Sequence, residues 1–102
     1  MTNYSSKVID NLAKRVAPVI IEFKDNSVEV GHLAYDEFNI LILYPLEASY
    51  YRCNSIIHRS YLKRVIHLGS GYVMPKEENG TGKILDIIEM NDLVNKAGYE
   101  YI

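Results

Sequence analysis

Cysteine is all but missing: the single Cys53 excludes an intramolecular disulfide and a cysteine-based zinc site. Long apolar runs are missing too. The longest unbroken aliphatic stretch is Ile40-Leu41-Ile42-Leu43, far short of the roughly 20 residues a membrane helix needs. The first residues, Met1-Thr2-Asn3-Tyr4-Ser5-Ser6-Lys7, hold no apolar core of the kind a secretory signal requires. Together these absences predict a small cytoplasmic protein with no membrane role. Neither sign of charge dominates, since 11 Lys+Arg face 13 Asp+Glu for a formal charge of −2. A composition of 48% hydrophobic and 24% charged residues excludes a disordered chain. At 102 residues one domain is the default. A chain this short buries about 65% of its unfolded surface, so edge pairing or oligomerisation would support it.

Acids are absent from one long stretch. None occurs between Glu47 and Glu77, a segment that holds Arg52, Arg59, Lys63, Arg64 and Lys76 with His58 and His67. Residues 1–75 carry 8 basic and 7 acidic side chains, whereas residues 76–102 carry 3 and 6. A basic segment in an acidic chain is a local field that can meet an anion, and nucleic acid is the commonest large one. The competing interpretation is a solvated strand face that simply carries these charges.

What is present reads as a helix followed by strands. Val8, Ile9, Leu12, Ala13 and Val16 recur at helical spacing, with Ser5 or Ser6 placed to cap and Pro18 to terminate. Val19-Ile20-Ile21-Glu22-Phe23 is β-branched and aromatic, and Lys24-Asp25-Asn26-Ser27 is a turn cluster. Further strands are expected from Val28, over Asn39–Tyr44, over Ser49–Ile57 with Tyr50 and Tyr51, and over Leu62–Leu68, before Gly69-Ser70-Gly71 turns the chain. No helical stretch separates these strands, which predicts an antiparallel, bent sheet closed into a small barrel. Gly31 lies mid-strand, where glycine marks a bend or a close backbone approach. Residues 75–83 read as a polar linker. Beyond it, Ile84, Leu85, Ile87, Ile88, Leu93, Val94 and Ala97 form an apolar stripe, read as a helix ending near Gly98, with a strand over Lys83–Met90 as the alternative. An apolar stripe of that length has to dock, on its own barrel or on a neighbouring subunit.

Catalytic patterns fail one by one. Gly80-Thr81-Gly82-Lys83 lacks the first glycine of a phosphate loop, which would fall on Glu77, and Ile84 stands where Ser or Thr belongs. The histidines at 32, 58 and 67 are too scattered for a local metal motif, and no Gly-x-Ser-x-Gly elbow occurs. No catalytic residue, metal or cofactor is expected.

One constellation holds. Val28-Glu29-Val30-Gly31-His32-Leu33-Ala34-Tyr35-Asp36-Glu37-Phe38-Asn39-Ile40-Leu41-Ile42 resembles the first signature of the Sm/LSm superfamily: a glycine on a bent second strand, then Asp and Asn around a tight loop, then apolar residues. His58-Arg59-Ser60-Tyr61-Leu62-Lys63-Arg64-Val65-Ile66 resembles the short second signature. The superfamily includes the bacterial RNA chaperone Hfq. Asp36 follows Gly31 by five residues and Asn39 follows Asp36 by three, one fewer in each case than the common pattern. The resemblance covers roughly residues 5–68.

The resemblance implies a mainly β fold, an N-terminal helix and then a bent five-stranded antiparallel small barrel, which takes up residues 1–75; residues 76–102, an acidic linker and an extension read as helical, have no counterpart in the family pattern. It implies open strand edges that pair between subunits in a homo-oligomeric ring of five to eight, binding single-stranded, U- or A-rich RNA. By position, Phe38 stacks a base, Asn39 reads its edge and Arg59 closes the site, with Asp36 orienting the loop and His58 and Ser60 flanking Arg59. Aromatic stacking, an amide and a cation are the chemistry such recognition needs. Blander roles compete at each position: Phe38 as core, Asn39 as turn chemistry, Arg59 as an ion-pair partner. The spacing departures and the acidic extension support an alternative, an oligomeric scaffold of the same fold, phage-related for example, without RNA binding.

Overall fold

The computed structural model describes residues 4–13, 17–35, 38, 40–46 and 55–100. The chain is mainly β, with helix α1 (Ser6–Ala13), strands β1 (Val19–Phe23), β2 (Val28–Tyr35), β3 (Leu41–Pro45), β4 (Ser55–Ile57), β5 (Leu62–His67), β6 (Tyr72–Val73) and β7 (Lys83–Ile84), and helix α2 (Ile87–Lys96). A 3-10 turn at Arg59–Tyr61 joins β4 to β5. The strands form one antiparallel sheet in the order β4-β3-β2-β1-β5-β6-β7. Helix α1 starts as expected, because Ser5 Oγ accepts the Val8 amide at 3.3 Å. Val16, and with it the end of the predicted stripe, lies outside the described residues, as do Tyr50, Tyr51 and Cys53.

The sheet corrects the expected five-stranded closed barrel on two points: among the described residues it has seven strands, and β4 and β7 at its two ends do not pair with each other. Gly71 is the reason for the added strands. At φ +73° it takes the left-handed turn that glycine tolerates, its amide donating to His67 O at 2.9 Å. The chain therefore folds back on β5, where Val73 pairs with Ile66, and β7 then pairs with β6 through Tyr72↔Ile84 and Val73↔Lys83. Gly82 permits that last step. A Cβ there would stand 2.3 Å from Val73 O and 2.4 Å from the Tyr72 ring, so any side chain would push β7 away. The stretch expected as a linker thus delivers a strand, and the alternatives at 83–90 divide between them: two residues of strand, then a helix. Asp86 caps α2, its Oδ1 accepting the Glu89 amide at 2.8 Å, and Gly98 at φ +91° follows its end.

Alternation along β1 builds a core on each face. Val19 and Ile21 join Leu33, Leu41, Leu43, Ile57, Leu62 and Val65 under Val8, Ile9 and Leu12 of α1. Ile20 joins Val28, Val30, Ile66 and Val73 under Met90, Leu93 and Val94 of α2. The C-terminal stripe therefore docks on its own sheet. Period-two alternation explains how a run such as Val19-Ile20-Ile21 is buried throughout.

The sheet is strongly curled. In a flat sheet β4 and β5 would stand about 19 Å apart, four strand spacings of about 4.8 Å. The step from Ile57 to Leu62 reaches at most about 17 Å fully extended, and it contains a 3-10 turn. Ile57 and Leu62 nevertheless share one core. Gly31 assists the curl: a Cβ there would lie 2.1 Å from Tyr44 O, the close approach expected of this glycine.

Candidate nucleic-acid interface

The β2–β3 connection and the β4–β5 connection leave the sheet side by side, because Leu41 at the start of β3 pairs with Ile57 at the end of β4. Phe38 belongs to the first connection, and His58, Arg59 and Ser60 to the second. The two segments that the sequence analysis singled out are thus brought together at one end of the sheet. Asp36 and Asn39 lie outside the described residues.

Each described residue has a definite setting. Phe38 is 75% exposed, so it is no part of this chain's own core. His58 is exposed and meets Tyr61 edge-on, the ring centroids 5.7 Å apart. Ser60 is exposed. Arg59 is half-buried and its Nη2 donates to Asp10 Oδ1 of α1 at 3.0 Å. The second connection is therefore tied to the N-terminal helix of the same chain by a charge-assisted bond. This pairing answers to the bland role considered for Arg59, with the acid supplied from within the chain.

Arg52 lies outside the described residues, and the other basic residues of the stretch divide into two kinds. Arg64 is half-buried and paired with Glu22, and His67 is buried and stacked on Tyr72, centroids 6.2 Å apart. Lys63 and Lys76 are exposed. Lys63 Nζ donates to Asn26 Oδ1 at 3.2 Å and stands 3.8 Å from Glu22 Oε2. Beside them Tyr4 is buried, its hydroxyl accepting the Val65 amide at 2.9 Å. Burial pushes the Tyr4 phenol up to about 12, so it is neutral across the physiological range. In the β1–β2 turn the Ser27 hydroxyl and amide both donate to Asp25 Oδ1, which holds that carboxyl below its ordinary value.

Close to the second connection runs a groove of about 410 Å³, lined by Phe23, Lys24, Glu29, Ile56 and Tyr61 among others. Ile56 on β4 and Tyr61 in the turn after it are 63% and 61% exposed, and among the described residues β4 stands at one end of the sheet order, paired with β3. Phe23 ends β1 and Ile56 belongs to β4. Their presence in one groove is a second mark of the curl.

Glu22, Tyr4 and Lys83 were missed as candidates by the sequence analysis. Glu22 had a signal, an acid inside a β-branched run, whereas Tyr4 precedes α1 with no pattern around it. Among the described residues no three His, Cys, Asp or Glu side chains gather to hold a metal, and no helix is long and apolar enough to cross a membrane. No protein-family model, curated protein or solved structure matches the chain.

Proposed function

We propose that the chain assembles into a homo-oligomeric, Sm-like ring that binds single-stranded RNA at the paired β2–β3 and β4–β5 connections. The observation that carries the proposal is the Leu41↔Ile57 pairing, which sets an exposed aromatic, Phe38, beside a cationic turn. An exposed ring offers a stacking platform to a base, and every base has a face to stack. The β4 edge supports the ring. Open strand edges are paired, covered or charged in stable proteins, and closed symmetry is the usual outcome when copies pair. Ring sizes of five to eight follow from the resemblance to the Sm/LSm superfamily.

A fluorescent 15-nucleotide RNA titrated at low and moderate salt, with light scattering for mass, tests both halves. Binding that weakens steeply with salt, by a particle of five to eight chains, is expected. A monomer that ignores RNA at low salt would overturn the proposal.

The second proposal is a scaffold of the same fold without RNA binding. It is favoured by Arg59, whose guanidinium is engaged by Asp10, and by the exposed Ile56 and Tyr61. In the same experiment it would give an oligomer with no RNA affinity at any salt.

A further inference from the structure

We infer that the chain holds a second anion site, a basic cleft on the β5–β6–β7 side of the sheet that takes the phosphates of single-stranded RNA. The RNA assignment rests on the function proposed above; the anion chemistry rests on the cleft itself. The cleft measures about 430 Å³, a size typical of ligand sites, and Lys63, Arg64, Lys76 and Lys83 line it with Tyr4 and Met74. No carboxylate is among the described residues that line it.

Four cations in one cleft repel one another unless something compensates. Glu22 lies buried behind them and is bonded to Arg64, which offsets one charge and leaves the lysines in excess. Among the described residues neither Lys76 nor Lys83 belongs to an ion pair. Both are held by ordered backbone. Lys83 pairs with Val73 in the β6–β7 ladder, next to the tightly packed Gly82, and the Lys76 carbonyl accepts the Ser5 amide at 3.1 Å. The charges are therefore presented from fixed points around one opening, although the chain separates Lys63 from Lys83 by 20 residues.

The chemistry favours phosphate over carboxylate. Lysine is a point charge on a flexible stem and binds phosphate without the planar fork that carboxylate recognition exploits. Several lysines around one opening suit several phosphates along a chain, each contact releasing counterions. Lys63 and Arg64 follow the 58–61 connection after Leu62 alone, so a strand bound at the connections has a cationic surface next in line.

The test uses the full chain and a labelled 15-nucleotide RNA, with affinity measured from about 50 to 200 mM salt. The K76A/K83A variant should bind at least about tenfold more weakly at the lowest salt. Its slope of log affinity against log salt should shrink by about 1.4, two single-strand phosphate contacts at about 0.7 each. The K76R/K83R variant should keep the wild-type slope, and thermal melts should show both variants folded. An unchanged slope in K76A/K83A, with wild-type RNA binding intact, overturns the cleft and leaves the proposed function standing. Wild-type protein that binds no RNA overturns the RNA assignment. Inorganic tripolyphosphate then decides the anion site. Amide shifts centred on Val73, Met74 and Lys83 that vanish in K76A/K83A support it, and their absence overturns it.

Discussion

Arg64 and Glu22 stand opposite each other in the β1–β5 ladder, and the arginine Nε donates to Glu22 Oε1. Glu22 is only 5% exposed, so its charge is carried into the protein on a strand whose neighbours are Ile20 and Ile21. A buried carboxylate is tolerable when it is paired and hydrogen-bonded, and removing either partner strands the other. The Glu22–Arg64 pair also fixes how much of the basic segment remains free to meet an anion.

Substituting Glu22→Ala should therefore destabilise the fold by about 3 kcal/mol, read from urea unfolding at neutral pH. Arg64→Ala should be at least as harmful, because it leaves the more deeply buried member without its main partner. The double variant should be milder than the sum of the two singles, since the pair acts as a unit. Strictly additive losses would show that the two side chains do not interact.

Tyr4 gives a prediction about pH. Its phenol lies near 12 in the folded chain because of burial, against about 10 when unfolded. The raised value means that the native state holds its proton more tightly. The associated stability is complete below pH 10 and is lost as pH rises from about 10 towards 12, on the order of 3 kcal/mol in all. Tyr4→Phe should flatten that decline relative to wild type. It should also lower stability at neutral pH by about 1 to 3 kcal/mol, because the Val65 amide loses its acceptor. Parallel slopes for both proteins between pH 9 and 11.5 would contradict this account.

The C-terminal helix supplies the cover of one sheet face, and truncation tests that role. A chain ending at Gly82 would expose Ile20, Val30 and Ile66, each of which now packs in the core with Met90, Leu93 and Val94. The shortened chain should fail to unfold cooperatively on heating. A milder change, Leu93→Ala, should cost about 2 to 5 kcal/mol. A truncated chain that melts like the full one would show that α2 is an appendage.

Periodicity is what made the fold legible. The 3.6-residue stripe of α1 and the β-branched run of β1 are local signals, and both elements lie where those signals fall. The two-faced burial of β1 was not readable, because Val19-Ile20-Ile21 looks the same whether one face or both are covered. The seventh strand was hidden for a related reason: Lys83–Ile84 is two residues long, and its pairing with β6 depends on the adjoining Gly82 packing on the Tyr72 ring of another strand. Of the site, the spacing of the two signatures pointed to connections that do lie side by side. It could not disclose the partner of Arg59, since Asp10 is 49 residues away in sequence. The basic cleft was legible only as a stretch without acids, because Lys83 joins it from beyond that stretch.

Phe38 and Arg59 now separate by experiment in a way the sequence alone did not allow. Phe38 is 75% exposed, so Phe38→Ala should leave thermal stability within about 0.5 kcal/mol of wild type, as surface changes usually do. If it stacks a base, the same change should weaken RNA binding by about 1 to 3 kcal/mol. Arg59→Ala differs, because it breaks the half-buried bond to Asp10 and should lower stability by about 1 kcal/mol. Asp10→Asn supplies the control. It weakens the same contact while leaving the guanidinium charged, so a structural role for Arg59 gives both variants a similar loss of stability and no change in RNA affinity. A role in binding gives Arg59→Ala a lower affinity and a shallower salt dependence, while Asp10→Asn keeps or improves affinity by releasing the cation. Equal RNA affinity in Phe38→Ala, Arg59→Ala and wild type would remove the connections from the interface, and the scaffold would be the function left standing.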